Sequence, residues 1–470
     1  MLKPSSIPLK ATKKIVIIGA GISGLALGLE LKKLGCRDAE LTILEREQRP
    51  GGYLHTLQVA GMLFEQGPRS FRPEGNGRAT LELVEELGLQ EQLLFAAPEA
   101  YQRYIYTDKK LRPVPTSWST FWHSPYRPML LKALWRDLWT SRRNAHDSEE
   151  SILEFAERRL GKDSAEQLFD PMVSGIYGGD IGKLSMKACF PALYDWEQQH
   201  GSLWRGALFG RRQQPTHASP LVKSAIEQGL FTFKPGAETL AQAMADKLRP
   251  SLRLGCAVNS IDGRGKQAVI ALETGEKLSA DALFLALPPH RLAPLLRTYH
   301  PEIAALCEQI PAATLGIVSL GYRASLLKKQ GFGYLIPSGE GKPILGVVWD
   351  SSAFPQQNSS PNETRLTVML GGRHFPNVAQ SSPDELIALA REGIADQMGL
   401  VAEPDVACAK IATEAIPQYH VGHCTVVEQL EAALRCFSPS VSILGNGFHG
   451  IAVNDCIYHA KRTAKQYFHD

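Results

Sequence analysis

Several things are scarce in this sequence of 470 residues. Its eight cysteines, at positions 36, 189, 256, 307, 408, 424, 436 and 456, never fall in C-x-x-C spacing, which excludes a locally built zinc ribbon or dithiol redox motif. No window approaches the roughly 20 consecutive apolar residues that a helix needs to cross a bilayer, so any membrane contact is expected to be peripheral. Neither sign of charge predominates: the net charge is +3 with 21% charged residues, which argues against nucleic acid as a partner. Internal repeats and low-complexity tracts are missing too, which excludes solenoids and long disordered tails. Residues 1–14 are polar and lysine-bearing and lack the apolar stretch and cleavage site of a secretory signal. Together with the scattered cysteines this predicts reduced thiols in a cytoplasmic setting.

What is present begins with residues 15–18, a short run of β-branched apolar residues that reads as a parallel strand buried on both faces. A glycine-rich turn follows, then a helix carrying Leu25, Leu27, Leu29, Leu31 and Leu34 that Gly35 ends, then a second apolar strand over residues 41–44. In this βαβ unit Gly19-Ala20-Gly21-Ile22-Ser23-Gly24 fits G-x-G-x-x-G. Gly19 permits the tight turn, Gly21 lets the backbone approach a pyrophosphate, and Gly24 lets helix and strand pack closely. The anion is then received by the free N–H groups of the helix start. Glu45 ends the second strand about 20 residues past the glycines, where a carboxylate accepts hydrogen bonds from ribose hydroxyls and repels a 2′-phosphate. An isolated glycine match need mean no more than a turn; the flanking strand and helix and the placement of Glu45 make this one a dinucleotide site.

The expected fold class is α/β and α+β. A Rossmann-like dinucleotide domain is assigned to residues 1–100, 221–305 and 430–470, on the length prior of two or three packed regions. Residues 101–220 are rich in tryptophan, arginine and helical spacing and form an inserted, mainly helical region. Strand texture at 315–322, 344–349 and 366–370 predicts a mixed-sheet substrate domain over 306–429, while 268–272, 282–287 and 441–444 belong to the first domain. Between residues 121 and 143, Leu131, Leu134, Trp135 and Leu138 recur at helical spacing. There Arg127, Lys132, Arg136, Arg142 and Arg143 outnumber the one acid, Asp137. That pattern suits an interfacial amphipathic helix about as well as an ordinary surface helix covering a core, and the inserted region is expected to associate with a membrane. His420 and His423, beside Cys424, lack the carboxylate or cysteine framework of a metal site, so a structural role and no metal are expected.

The continuation Glu45-Arg46-Glu47-Gln48-Arg49-Pro50-Gly51-Gly52 resembles the second signature of the amine-oxidase-like flavoproteins, which implies non-covalent FAD rather than NAD. Gly445-Asn446-Gly447-Phe448-His449-Gly450-Ile451-Ala452-Val453-Asn454-Asp455 is similar to the segment that returns to the flavin in that superfamily. A helix start placed there, carrying about half a positive charge, would favour the reduced anion.

Three further stretches resemble the protoporphyrinogen oxidases along nearly the whole chain. They are Phe64-Glu65-Gln66-Gly67-Pro68-Arg69-Ser70; Pro171 to Asp180 running into Lys183-Leu184-Ser185; and Gly331-Phe332-Gly333-Tyr334-Leu335-Ile336-Pro337 with Leu345 to Ser351, Arg365 to Gly372 and Ile416-Pro417-Gln418-Tyr419. The resemblance implies a substrate site with Arg103 against a propionate, Phe332 and Leu335 on opposite faces of a pyrrole, and Gly175, Gly333 and Met369 along the cavity. For FAD it implies Gly19 to Gly24, Glu45, Tyr53, Gly67, Pro68, Arg69, Ser70, Val258, Asn446, Ile451, Ala452 and Val453. Tyr53 stands where that family often has tryptophan, and Asn446-Gly447-Phe448-His449 is not its commonest wording.

The activity so implied is FAD-dependent, six-electron oxidation of protoporphyrinogen IX to protoporphyrin IX in haem biosynthesis. Three hydride transfers from substrate carbon to flavin N5, with reoxidation by oxygen, need no catalytic side chain, because the cofactor carries the chemistry. Oxidation of coproporphyrinogen III by the same chemistry is the alternative; a flavin amine oxidase and a flavin-free carrier of prenylated proteins are the more distant ones. The porphyrinogen is the expected partner, at a cytoplasmic location or the cytoplasmic face of a membrane. That reading also admits a homo-oligomer or hand-over of product to ferrochelatase.

Overall fold

The computed structural model describes residues 13–143, 148–209, 219–437 and 440–469; the N-terminal run up to residue 12 lies outside them. Ile15–Ile18 is buried throughout and sits at the centre of a five-stranded parallel sheet. The strand order is Ser440–Ile443, Ala282–Leu285, Ile15–Ile18, Leu41–Leu44, Leu252–Arg253. The second strand and then Leu252–Arg253 add on one side of the first, and Ala282–Leu285 and Ser440–Ile443 on the other, so the order reverses at Ile15–Ile18 and a crevice opens beyond the strand ends.

Leu25, Leu27 and Leu31 of helix Ile22–Lys33 bury one face of this sheet with Leu81, Val84, Leu240, Met244, Ile457 and Ala460 from three other helices. On the other face a three-stranded antiparallel sheet and three helices close a second core around Ile261, Ile270, Leu292, Ile303 and Leu430. Helix His423–Arg435 belongs to this core, so the domain edge expected at residue 430 falls inside one packed element.

A second sheet has seven strands in the order Val406–Pro417, Ala312–Tyr322, Thr364–Gly371, Ile344–Val348, Gly333–Leu335, Arg103–Thr107, Lys110–Pro113. All neighbours are antiparallel except Gly333–Leu335 with Arg103–Thr107. Alternation puts Val318, Tyr334, Val347 and Val368 on one face, under Leu386, Ala390 and Ile394 of helix Pro383–Met398. The opposite face carries Ile317, Ser319, Leu335 and Met369.

A hairpin and an edge strand of this sheet differ from the sequence expectation. Residues 103–113, assigned to the helical region, form a hairpin through Asp108 and Lys109, both at positive φ, and extend the second sheet. Their pairing with a strand some 230 residues later is non-local, which composition does not register. Val406–Pro417 carries Lys410 and Glu414 and pairs on one side only, so it lacks the apolar run of an interior strand.

The inserted region has a small apolar core of Ile152, Phe155, Val173, Tyr177, Ile181, Leu184 and Met186. Beside it, fully buried Arg159 pairs with Asp137 at 3.3 Å and donates from Nε to Glu197 at 2.9 Å. The expected helix at 121–143 is two helices, Trp118–Trp122 and Arg127–Trp139, with Pro125 in the break between them.

Polar contacts join residues 63–69 to the second sheet and its neighbouring helix. Arg365 donates to the Leu63 carbonyl at 2.7 Å, and Arg69 Nη1 donates to Asp350 Oδ1 at 2.8 Å, with Thr367 donating to the other Asp350 oxygen at 2.7 Å. The Arg69–Asp350 pair is largely buried, so removing one partner strands a charge. Arg69→Ala is expected to cost about 3–5 kcal/mol, read as a fall in melting temperature. Arg69→Met combined with Asp350→Leu should recover much of it, and an unchanged melting temperature in the single variant would show the pair to be idle.

Candidate active site

The crevice begins with backbone that has no room for side chains. A Cβ at Gly24 would lie 1.9 Å from the Gly19 carbonyl oxygen, and one at Gly19, where φ is +103°, would lie 2.4 Å from the Ala286 oxygen. Gly21 is different, because a Cβ there would meet only the Gly52 Cα, at 4.0 Å, and its crevice side is open. Gly21 is also the N-cap of helix Ile22–Lys33 and offers no side-chain cap, so the first amides of the helix point into the opening. Ala20 N–H donates to Glu45 Oε2 at 2.8 Å and Glu47 N–H to Oε1 at 3.0 Å, which fixes the carboxylate and leaves lone pairs for a ligand's hydroxyls. Val258 follows Cys256, whose N–H donates to the Glu45 carbonyl, and so lies at the same end.

Further along the crevice Gly51 N–H donates to the Ala20 carbonyl, and Tyr53 stands at the rim with its hydroxyl 3.4 Å from the Glu414 carbonyl. Gly67 packs on Tyr53, since a Cβ would fall 2.0 Å from the Tyr53 oxygen, and Pro68 and Ser70 continue half-buried beside it. Asn446 donates from Nδ2 to the Ala415 carbonyl at 3.4 Å, linking the last loop to the second sheet. Ile451 packs against the core of the inserted region, while Ala452 and Val453 open the last helix, whose Cys456 thiol meets Ser23. The structure therefore gathers Gly19 to Gly24, Glu45, Tyr53, Gly67, Val258, Asn446 and Ile451 to Val453 along one opening. Arg69 is the exception, since its guanidinium is engaged with Asp350 at the domain junction.

The free face of the second sheet, covered in part by the inserted region, is the candidate substrate cleft. Register places Leu335 opposite Gly346, and Gly346 opposite Met369. Leu335 is lodged between two glycines: a Cβ at Gly175 would come within 2.4 Å of its Cδ2, and one at Gly346 within 2.8 Å. Gly175 belongs to helix Asp170–Tyr177, so the inserted region walls the cleft. Arg103 pairs in register with Gly333, and its guanidinium lies 5.7 Å from the centre of the Phe332 ring. Arg103, Gly175, Phe332, Gly333, Leu335 and Met369 are thus brought together on or against one face of the second sheet.

Sequence reasoning missed two neighbours. Arg72, in the loop after Ser70, sits close enough to Arg103 for the charges to interact; Arg103's pKa is lowered first by the surrounding protein and then by Arg72. Neither guanidinium has an acidic partner among the described residues. The only signal was an arginine directly following the Gly67 to Ser70 stretch. Glu65, which is buried, accepts from Ala237 N–H at 2.7 Å and from Thr56 Oγ1 at 2.9 Å. Of the histidines weighed for a metal, His423 lies against the Tyr419 ring, and no metal-ligating cluster occurs among the described residues.

Residues 22–466 match the family model of flavin-containing amine oxidoreductases. The chain is similar to the protoporphyrinogen oxidases of Homo sapiens, 32% identical over 471 residues, and of Bos taurus, 34% over 472, covering 96% of this chain and 98% of each relative. It is 29% identical to the coproporphyrinogen III oxidase of Bacillus subtilis, covering 96% of both. A solved structure from Exiguobacterium sp. 255-15 shares the fold with a TM-score of 0.80 at 23% identity, covering 98% of this chain and 99% of that one. Reduced UDP-galactopyranose mutase does so at 0.73 and 16%, covering 98% and 94%.

Burial pushes the Glu65 carboxyl up to about 7, against the opposing help of Ala237 and Thr56. The folded state therefore holds this proton more tightly than the unfolded chain, whose value is 4.5. The stability so gained is complete below that value and is lost as pH rises through about 7, a swing on the order of 3 kcal/mol. Glu65→Gln, which imitates the protonated acid, is expected to gain in melting temperature relative to the parent between pH 5 and pH 8. Parallel melting curves for the two proteins across that range would contradict the assignment.

Proposed function

The chain belongs to the flavin-containing amine oxidoreductases, in the protoporphyrinogen oxidase family, and from that premise we propose that it oxidises protoporphyrinogen IX to protoporphyrin IX in haem biosynthesis, with oxygen as acceptor. It is an FAD-dependent oxidoreductase. The crevice fits that cofactor: the open backbone at Gly21 and the uncapped helix start suit a pyrophosphate, and the tethered Glu45 carboxylate suits an adenosine ribose. FAD, when bound, supplies a two-electron acceptor to a substrate held in the adjoining cleft.

The observation that carries the substrate reading is the cleft itself. An arginine without an acidic partner stands over an aromatic ring, beside an apolar wall on which Leu335 lies between two glycines. A flat, oily macrocycle with a few carboxylates matches that combination. Arg103 would orient a propionate through its planar fork, while Phe332, Leu335 and Met369 would exclude water and hold one bridging carbon toward the crevice. The second cation at Arg72 favours a further carboxylate, and it keeps oxidation of coproporphyrinogen III, the reaction named for the Bacillus relative, as the alternative.

Anaerobic mixing with protoporphyrinogen IX should bleach the flavin and yield fluorescent porphyrin. Arg103→Leu should raise KM by on the order of 10- to 100-fold, the equivalent of losing a charged hydrogen bond of about 1.5–3 kcal/mol, with a smaller effect on kcat. An unaltered KM would remove the anchoring role, and faster turnover of coproporphyrinogen III would select the alternative.

We also propose that the inserted region rests on a membrane surface. Helix Arg127–Trp139 is inside out: Ala133 and Asp137 face the protein, Asp137 accepting from Ser202 at 2.6 Å and pairing with Arg159. Trp135 and Trp139, 67% and 73% exposed, point away with Trp118, Leu208 and Phe209, amid Arg127, Lys132 and Arg136. Tryptophans and leucines ringed by cations suit an anionic interface, and the substrate is itself lipid-soluble. Among the described residues no helix is long and apolar enough to cross a membrane. The eight free thiols agree with a cytoplasmic face. Trp135→Ser with Trp139→Ser should abolish co-flotation with vesicles containing anionic lipid while leaving the folded protein in solution; undiminished flotation would refute this placement.

A further inference from the structure

The segment Gln418–His423 is absorbed neither by the cradle nor by the cleft, yet it lies between them. Tyr419 is almost completely buried at the end of the strand Val406–Pro417. Its hydroxyl donates to the Asn446 carbonyl at 2.6 Å and accepts from Gly450 N–H at 2.9 Å, so one oxygen closes residues 446–450 into a ring. The imidazole of His423 stacks on the Tyr419 ring, with centres 3.9 Å apart and planes 15° from parallel. Its Nε2 lies 3.1 Å from the Phe448 carbonyl, an acceptor only, so that nitrogen carries the proton. Two stacked rings thus hold the loop at three successive alternate residues. Burial supports this: it lowers the His423 pKa to about 4 and raises that of Tyr419 well above the usual phenol value, so both rings stay neutral in the hydrogen-bonded form across physiological pH.

The same segment is bolted to the inserted region on its other side. Gln418 donates from Nε2 to the Tyr177 carbonyl at 2.7 Å, Ser185 N–H to the Tyr419 carbonyl at 2.8 Å and Val421 N–H to the Lys183 carbonyl at 3.0 Å. Glu149 accepts from Gly422 N–H at 3.0 Å and from the Ser185 hydroxyl. Tyr177 ends the helix whose Gly175 walls the cleft against Leu335. The clamped loop, in turn, leads into the last helix, whose first turn touches Ser23 of the cradle. A continuous set of hydrogen bonds therefore runs from the cleft wall through Tyr419 to the edge of the flavin crevice.

We propose that Tyr419, backed by His423, is a positioning residue that fixes the Asn446–Gly450 loop beside the flavin and ties it to the wall of the substrate cleft. Neither ring is a catalytic residue; both act through the loop backbone. The inference rests on the flavin and not on the identity of the porphyrinogen.

The test uses holoenzyme of Tyr419→Phe, which deletes one oxygen and keeps the stacked ring, and of His423→Gln, which keeps the tyrosine and a donor toward Phe448. Tyr419→Phe is expected to weaken FAD binding, to alter the visible absorption and circular dichroism of the bound flavin, and to move its midpoint potential. With porphyrinogen, flavin reduction should slow by on the order of 10²-fold, the scale of a misplacement of about 1 Å, with KM little changed. His423→Gln should show the same signature more weakly. Leu386→Ala, in the far core of the second sheet, serves as a control that lowers the melting temperature without touching the flavin readouts. If Tyr419→Phe behaves like that control, with spectrum, potential and FAD affinity unaltered, the proposal is overturned. If Tyr419→Phe does not yield folded protein, the His423→Gln spectrum and potential decide in the same way. The spectrum, the midpoint potential and the FAD affinity are taken without substrate, so they stand or fall separately from the reading of the cleft.

Discussion

The arrangement depends on one close approach, that of helix Ile22–Lys33 to the turn that precedes it. The Gly24 position faces the Gly19 carbonyl so nearly that a Cβ would stand 1.9 Å from its oxygen. This approach aims the first amides of the helix at the crevice and leaves Gly21 bare toward it. Everything else at the nucleotide end is referred to that turn: Glu45 is tethered by the Ala20 amide, and Gly51 hydrogen-bonds the Ala20 carbonyl. The last helix starts against Ser23. A crevice made of backbone has little freedom to collapse, which is what binding an extended dinucleotide without reorganisation requires.

The cleft is built on the opposite principle, by side chains from three distant stretches on one sheet face. Its apolar wall exists because Gly175 and Gly346 leave space on two sides of Leu335. Its charge exists because Arg103 and Arg72 converge from separate segments without an acid between them. Two like charges side by side repel one another until an anion joins them, and such local conflict is the usual mark of a binding site. Among the arginines that do have partners, the largely buried Arg69, Arg159 and Arg365 hold domains and helices together.

The inserted region shows the same division. Its apolar core is small, and charged side chains fill the interior between helices Arg127–Trp139, Ile152–Leu160 and Pro191–His200. Tryptophans that would ordinarily supply that core are outside, with Trp118, Trp135 and Trp139 all exposed. An inverted helix of this kind is fixed in place by the buried Asp137–Arg159 pair and turns its apolar side chains outward.

By itself the sequence determined the nucleotide half of the protein. Residues 15–18, the glycine turn, the leucine-bearing helix and Glu45 encode backbone angles and periodicities within a few dozen residues, and such local rules survive any tertiary context. Family resemblance along the chain added the cleft residues one at a time. Tertiary structure decided how those residues meet. Arg69 and Asp350 are 281 positions apart, and the residues of the hairpin at 103–113 pair with a strand far downstream. The ring tips of Tyr419 and His423 find three carbonyl and amide groups some thirty residues on. The polar edge strand Val406–Pro417 and the outward face of Arg127–Trp139 were ambiguous for the same reason: periodicity states which residues share a face, whereas the packing of distant segments settles what that face meets.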